Sequence, residues 1–87
     1  MRLDKFLKIS LLFKTRSSGE KAIEEKNVLL NGKETKPSAN VKIGDKITIK
    51  NSIILREFEI LLLLEKNVSK REAKEMVKLL YEKRFEL

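Results

Sequence analysis

Cysteine, histidine and tryptophan are all absent from the 87 residues, and only one proline and three glycines interrupt them. Without cysteine there is no disulfide staple and no thiol nucleophile. With histidine missing as well, the usual zinc sites and imidazole acid–base chemistry are excluded. Carboxylates, lysines and hydroxyls are the groups left for catalysis. Long apolar runs are also missing: Ile60–Leu64 is bounded by Glu59 and Glu65, far short of the roughly 18 residues a membrane helix needs. Near the N-terminus Lys5, Lys8 and Ser10 break the apolar positions, and no small-residue cleavage site follows, so the segment does not read as a signal peptide. The expectation is a soluble cytoplasmic protein with no metal or other cofactor and no membrane partner.

Present instead are 41% hydrophobic and 38% charged residues with a net charge of +7, enough apolar surface for one modest core beneath a heavily charged exterior. The charge is uneven. Residues 1–50 hold 12 Lys/Arg against 6 Asp/Glu, and residues 51–87 hold 8 against 7. The first part is therefore the one suited to a polyanion, with a phosphate backbone ahead of anionic lipid.

From Leu3 to Phe13, Leu3, Phe6, Leu7 and Leu11 recur at helical spacing with Ile9, Leu12 and Phe13 widening the apolar arc, while Arg2, Lys5 and Lys8 step along another side; this predicts a short helix with a basic flank. Ser17 and Glu20 fit a capping box for a second helix to about Lys26, closed by a left-handed Asn27. Val28–Leu30 precedes the turn signal Asn31-Gly32, which predicts strand, tight turn and return strand. Pro37 keeps the next stretch extended, Gly44-Asp45 marks a turn, and Ile47, Thr48, Ile49 and Lys50 alternate as a half-buried strand should. Ile53–Leu64 is a further extended candidate. Ser69 and Glu72 fit another capping box, and Ala73, Met76, Val77, Leu80 and Tyr81 fall at helical spacing, so a last helix with Met76, Leu80 and Tyr81 in the core is expected. The class is α+β.

Arg2-Leu3-Asp4-Lys5-Phe6-Leu7, Thr15-Arg16-Ser17, Val28-Leu29-Leu30-Asn31-Gly32 and Val41-Lys42-Ile43-Gly44-Asp45-Lys46-Ile47-Thr48-Ile49 resemble, in order and spacing, the successive blocks of an S4 RNA-binding domain. Within that superfamily the chain is similar to the short stand-alone members, the RqcP (YabO) and fifteen-kilodalton heat-shock families. The resemblance implies an S4-like fold, with two N-terminal helices packed on a small antiparallel sheet and a C-terminal helix. It also implies one S4 domain over residues 1–87, with the core motif in 1–50 and a strand-and-helix extension in 51–87. The implied activity is non-enzymatic: binding of obstructed large ribosomal subunits, with contacts to rRNA (the H69 hairpin) and to P-site peptidyl-tRNA, while a ribosome quality control tailing factor adds alanine to the stalled nascent chain. A monomer when free is expected. The family pattern has alanine where Gly19 stands and a glycine helix terminator where Lys26 stands, so the second helix is expected to be weaker or to end at Asn27.

With two helices side by side, Arg2, Lys5 and Lys8 can share a face with Lys14, Arg16 and Lys21 around the start of the second helix. That start offers free N–H groups and a partial positive charge to a phosphate, with Ser17 as a cap or a further donor. Lys36 and Lys42 are peripheral phosphate contacts. Each of these residues also has a plain reading as a solvated surface charge. Asp4 either offsets the positive end of the first helix or orients a neighbouring Arg or Lys. Asn31-Gly32 and Gly44-Asp45 read as turn chemistry. Aromatics are few (Phe6, Phe13, Phe58, Tyr81 and Phe85), and the first four fit core positions, so recognition of RNA shape and backbone is expected over base stacking.

Other readings are an S4 appendage of an RNA-modifying enzyme, such as a pseudouridine synthase or a tyrosyl-tRNA synthetase, for which the extension has no room; heat-shock-type recycling of blocked large subunits; a protein-docking surface formed by Leu61–Leu64 and the last helix; and membrane-surface binding through the first helix, whose polar face has too few positive charges. Met1 directly before the first block reads as a natural start.

Overall fold

Leu3, Phe6 and Leu7 line one side of a short helix, and all three are fully buried; removing each from water contributes about 1.5–3 kcal/mol. In the computed structural model, which describes residues 1–86, this helix, α1, spans Leu3–Ile9. It stops short of Phe13 because Leu11 takes a left-handed φ of 62° and the Phe13 N–H donates to the Leu7 carbonyl at 3.0 Å. The reversal brings Leu12 and Phe13 onto the core from the loop.

Helix α2 spans Arg16–Glu24. Its capping box is Thr15 with Ser18, not Ser17 with Glu20: the Thr15 hydroxyl accepts from the Ser18 N–H at 3.1 Å, and the Thr15 N–H donates to the Ser18 hydroxyl at 3.3 Å. At the other end Lys26, not Asn27, takes the left-handed conformation, with φ 65°, and the Asn27 N–H closes onto the Ala22 carbonyl at 2.8 Å. Lys26 thus occupies the position at which the family pattern has glycine. Gly19 is buried where α2 meets α1. A Cβ there would lie 3.3 Å from Leu7 Cδ1 and 3.4 Å from Leu7 Cβ, so glycine sets how closely the two helices approach.

Four strands follow: β1 (Val28–Leu30), β2 (Lys46–Lys50), β3 (Ile54–Ile60) and β4 (Val77–Arg84), in that order across one sheet and all antiparallel to their neighbours. Asn31 and Gly32 both have positive φ and turn the chain, yet no return strand forms; Lys33 makes a single bridge to Leu30 and the partner of β1 is β2. Asn31 and Asp45 do more than make turns. The Asn31 amide oxygen accepts from the Lys46 N–H at 2.9 Å, its NH2 donates to the Asp45 carboxylate at 3.2 Å, and that buried carboxylate also accepts from the Lys42 N–H at 3.0 Å. Val28, Ile47 and Ile60 face the helices and close a core with Leu3, Phe6, Leu7 and Ile23.

The C-terminal helix is present but short. α3 covers Lys70–Glu75 behind the expected Ser69/Glu72 capping box, and the chain then leaves the helix and runs as β4 beside β3. Met76 is buried as expected, but Leu80 and Tyr81 are 38% and 53% exposed, which corrects the expected core stripe. The physical reason is the free edge of β3, whose N–H and C=O groups gain an eight-residue partner; Val77 and Leu79 suit a strand as well as a helix, so backbone pairing decides. Among the described residues no helix is long and apolar enough to cross a membrane.

Candidate nucleic-acid interface

The Asp4 side chain is fully buried in the first turn of α1 and accepts from four donors. Arg2 grips it with both Nε and Nη2, at 3.2 Å and 2.9 Å. Arg16, the first residue of α2, reaches it through Nη2 at 3.2 Å, and the Lys5 N–H donates at 2.7 Å. Burial by itself raises the Asp4 pKa, but the hydrogen bonds from Arg2, Arg16 and the Lys5 N–H, with the charge of Arg16, outweigh it and hold the carboxyl below its ordinary value. One anion thus joins the starts of two helices. The two arginine side chains remain about half exposed, at 51% and 46%, while Asp4 fixes their positions. An arginine held in this way loses less freedom when it meets a phosphate.

The first N–H groups of α1 are already taken, Leu3 by the Ala39 carbonyl at 2.8 Å and Asp4 by the Pro37 carbonyl at 3.2 Å. These bonds, with the Arg2–Asn40 bridge, dock the loop carrying Lys36 and Lys42 beside the start of α1, and both lysines are exposed. At α2 the cap satisfies Ser18 and the Gly19 N–H bonds to the Thr15 carbonyl. Among the described residues the N–H groups of Arg16 and Ser17 have no protein acceptor. Ser17 is exposed and its hydroxyl lies 3.3 Å from that of Thr15. Lys14 and Lys21 are exposed on the approach to α2 and along it.

Lys5 and Lys8 point towards the extension. Lys5 pairs with Glu65 at 3.2 Å, and Lys8 shares a cleft with Glu65, Asn67 and Lys70. The structure therefore brings Arg2 and Arg16 together on Asp4, with the Lys36–Lys42 loop beside them, and turns the α1 lysines to a neighbouring surface. The capping role of Thr15 and the pairing of Glu65 with Lys5 were not foreseen from the sequence. Thr15-x-x-Ser18 has the same cap spacing as the pair chosen, whereas nothing local to Glu65 signals its pairing with Lys5. No cluster of metal-ligating side chains exists among the described residues.

The S4 domain profile matches residues 1–47. The RQC P-site tRNA stabilizing factor of Listeria innocua is 40% identical over 86 residues, covering 97% of this chain and 90% of the relative; the protein of that name from Bacillus subtilis is 42% identical over 50 residues, 58% of each chain. Among solved structures, the trimeric structure of Vibrio cholerae heat shock protein 15 has a TM-score of 0.83 at 30% identity, covering 92% of this chain and 81% of that one. A profile that spans more than half of the chain and includes the blocks that build the Arg2–Asp4–Arg16 array, together with a Listeria relative aligned over 90% of its length and a heat-shock structure matched over 81% of its own, shows that the chain belongs to the S4 domain family, in the branch of the RQC P-site tRNA stabilizing factors and the fifteen-kilodalton heat-shock proteins.

Proposed function

We propose that this chain is a non-enzymatic RNA-binding factor of ribosome-associated quality control. It binds obstructed large subunits in the cytoplasm and contacts rRNA and P-site peptidyl-tRNA while a tailing factor adds alanine to the stalled chain. The observation that carries this reading is the Arg2–Asp4–Arg16 array: two preorganised guanidinium groups beside the free N–H groups of α2, a donor set suited to the oxygens of a phosphate backbone. Lys36 and Lys42 on the loop docked at the start of α1, and exposed Lys14 and Lys21 before and along α2, add secondary charges, and Ser17 supplies a hydroxyl. The names of the Listeria and Bacillus relatives support P-site tRNA as the RNA held.

The likeness to heat shock protein 15 favours a second reading, recycling of blocked large subunits without tailing. Sedimentation of cell extract through sucrose tests the shared part: the tagged wild-type protein co-migrates with large subunits carrying peptidyl-tRNA, and Arg2→Ala or Arg16→Ala stays at the top. Wild-type protein at the top of the gradient refutes both readings. Mass spectrometry of the stalled chains then separates them, since alanine tails that vanish with the protein belong to the first reading alone.

A further inference from the structure

Beyond the helix face, a second surface carries chemistry that the family blocks do not use. The pairing of β3 with β4 slips at Glu57/Phe58, where Phe58 opposes Leu79 and Glu57 opposes Tyr81, leaving Leu80 as the extra residue of a bulge. A one-residue slip sends every later side chain to the other side of the sheet. Val77 and Leu79 share the inner side with Ile60 and Phe58, Leu79 remaining 49% exposed at this edge, while Tyr81 and Lys83 stand on the outer side with Glu57 and Leu55. Phe85 follows on that outer side, with the Lys83 ammonium 5.7 Å from its ring centre. Across β3, Leu55 opposes Lys50 of β2, so the outer face presents Tyr81, Lys83 and Phe85 along one strand with Lys50 two strands away. Tyr81 is 53% and Phe85 37% exposed, and neither Lys50 nor Lys83 has an acidic partner among the described residues. Of the acidic groups on this face, Glu57 stands directly opposite Tyr81, between it and Thr48, and Glu59 sits between Lys46 and Lys78.

We infer that the outer face of β3 and β4 is a second RNA site, a stacking platform for unpaired bases. Tyr81 and Lys83 at alternate strand positions, with Phe85 following, place two rings about 13 Å apart along the chain, the Lys83 ammonium lying over the Phe85 ring. Bases stack on such rings whatever their identity, and the lysines neutralise the phosphates that join them. Duplex RNA buries its base faces and does not fit. A purely apolar docking patch for protein would not interleave cations with its rings. The platform lies on the side of the sheet away from Arg2 and Arg16, so the protein has two RNA-facing sides.

Tyr81 is the only tyrosine and there is no tryptophan, so intrinsic fluorescence reports on the platform alone. A short single-stranded oligouridylate is expected to quench it in the wild type and equally in Arg16→Ala, and a blunt RNA duplex is expected to leave it unchanged. Tyr81→Ala, at an exposed position, should weaken anisotropy-measured binding of the labelled oligouridylate roughly 5- to 150-fold, the equivalent of about 1–3 kcal/mol for one stacked base. Tyr81→Phe should retain it. Absence of quenching, equal quenching by duplex, or unchanged affinity in Tyr81→Ala overturns the proposal and leaves the face to a protein partner. Because Arg16→Ala is expected to lose ribosome sedimentation yet keep the quenching, failure of the ribosomal reading and failure of this one are distinguishable.

Discussion

Neutralising Asp4 removes a negative charge from a basic protein, so long-range electrostatics alone would tighten its hold on RNA. The geometry demands the opposite. Asp4 fixes Arg2 and Arg16, and releasing both side chains restores the freedom that binding must then remove, at about 0.5–1.5 kcal/mol each. Asp4→Asn is expected to weaken RNA binding by about 1–3 kcal/mol in a filter-binding titration; tighter binding would show that the arginines need no anchor. The same carboxylate predicts a pH dependence. Its folded pKa lies below the ordinary 3.8, so the unfolded chain binds the proton more readily. The stability it contributes is complete above the ordinary value and is lost as pH falls through that value and then through the lower folded one. Urea midpoints measured across that acid range should fall more steeply for the wild type than for Asp4→Asn.

At the scale of elements, the ends of the helices carry the informative chemistry. Lys26 closes α2 in the left-handed region at φ 65°, a conformation costing a non-glycine residue about 1–2 kcal/mol. Lys26→Gly is therefore expected to stabilise the protein by about 1 kcal/mol once the greater freedom of glycine in the unfolded chain is subtracted, a rise in Tm of about 4–8 °C for a domain of this size, read by thermal unfolding. Ser69 works in the other direction. Its hydroxyl accepts the Glu72 N–H at 3.1 Å, and Ser69→Ala should lower stability by about 1 kcal/mol in denaturant unfolding. Since α3 has only six residues, it is too short to persist unaided, and much of the effect should pass to β4, which α3 delivers to the edge of β3.

For the whole molecule, a helix face carrying arginines and a sheet face carrying exposed rings imply contacts of different character. Salt distinguishes them. If the helix face contacts about five or six phosphates, log affinity for RNA falls against log salt with a slope of roughly −3.5 to −5.5. Arg16→Ala should make that slope shallower by about one phosphate contact, and Tyr81→Ala should weaken single-strand binding at every salt concentration with the slope unchanged. What sequence alone determined is the chemistry available and most of the first half of the fold. Leu3, Phe6 and Leu7 bury one face of α1, and Val28–Leu30 and Ile47–Lys50 form strands, signals that are local and written in periodicity, while the S4-like placement of Arg2 and Arg16 is implied by the resemblance of their blocks to the family. Tertiary structure decided the rest. Asp4 joins two arginines that lie fourteen positions apart in the chain only because α2 folds back beside α1. Val77, Leu80 and Tyr81 match helical spacing yet fall in a strand because the unpaired edge of β3 offers backbone partners that no local pattern records. The bulge opposite Glu57 then puts Tyr81, an expected core residue, on the outer side of the sheet, where it is exposed, since the side of a sheet a residue occupies depends on its register with a distant strand.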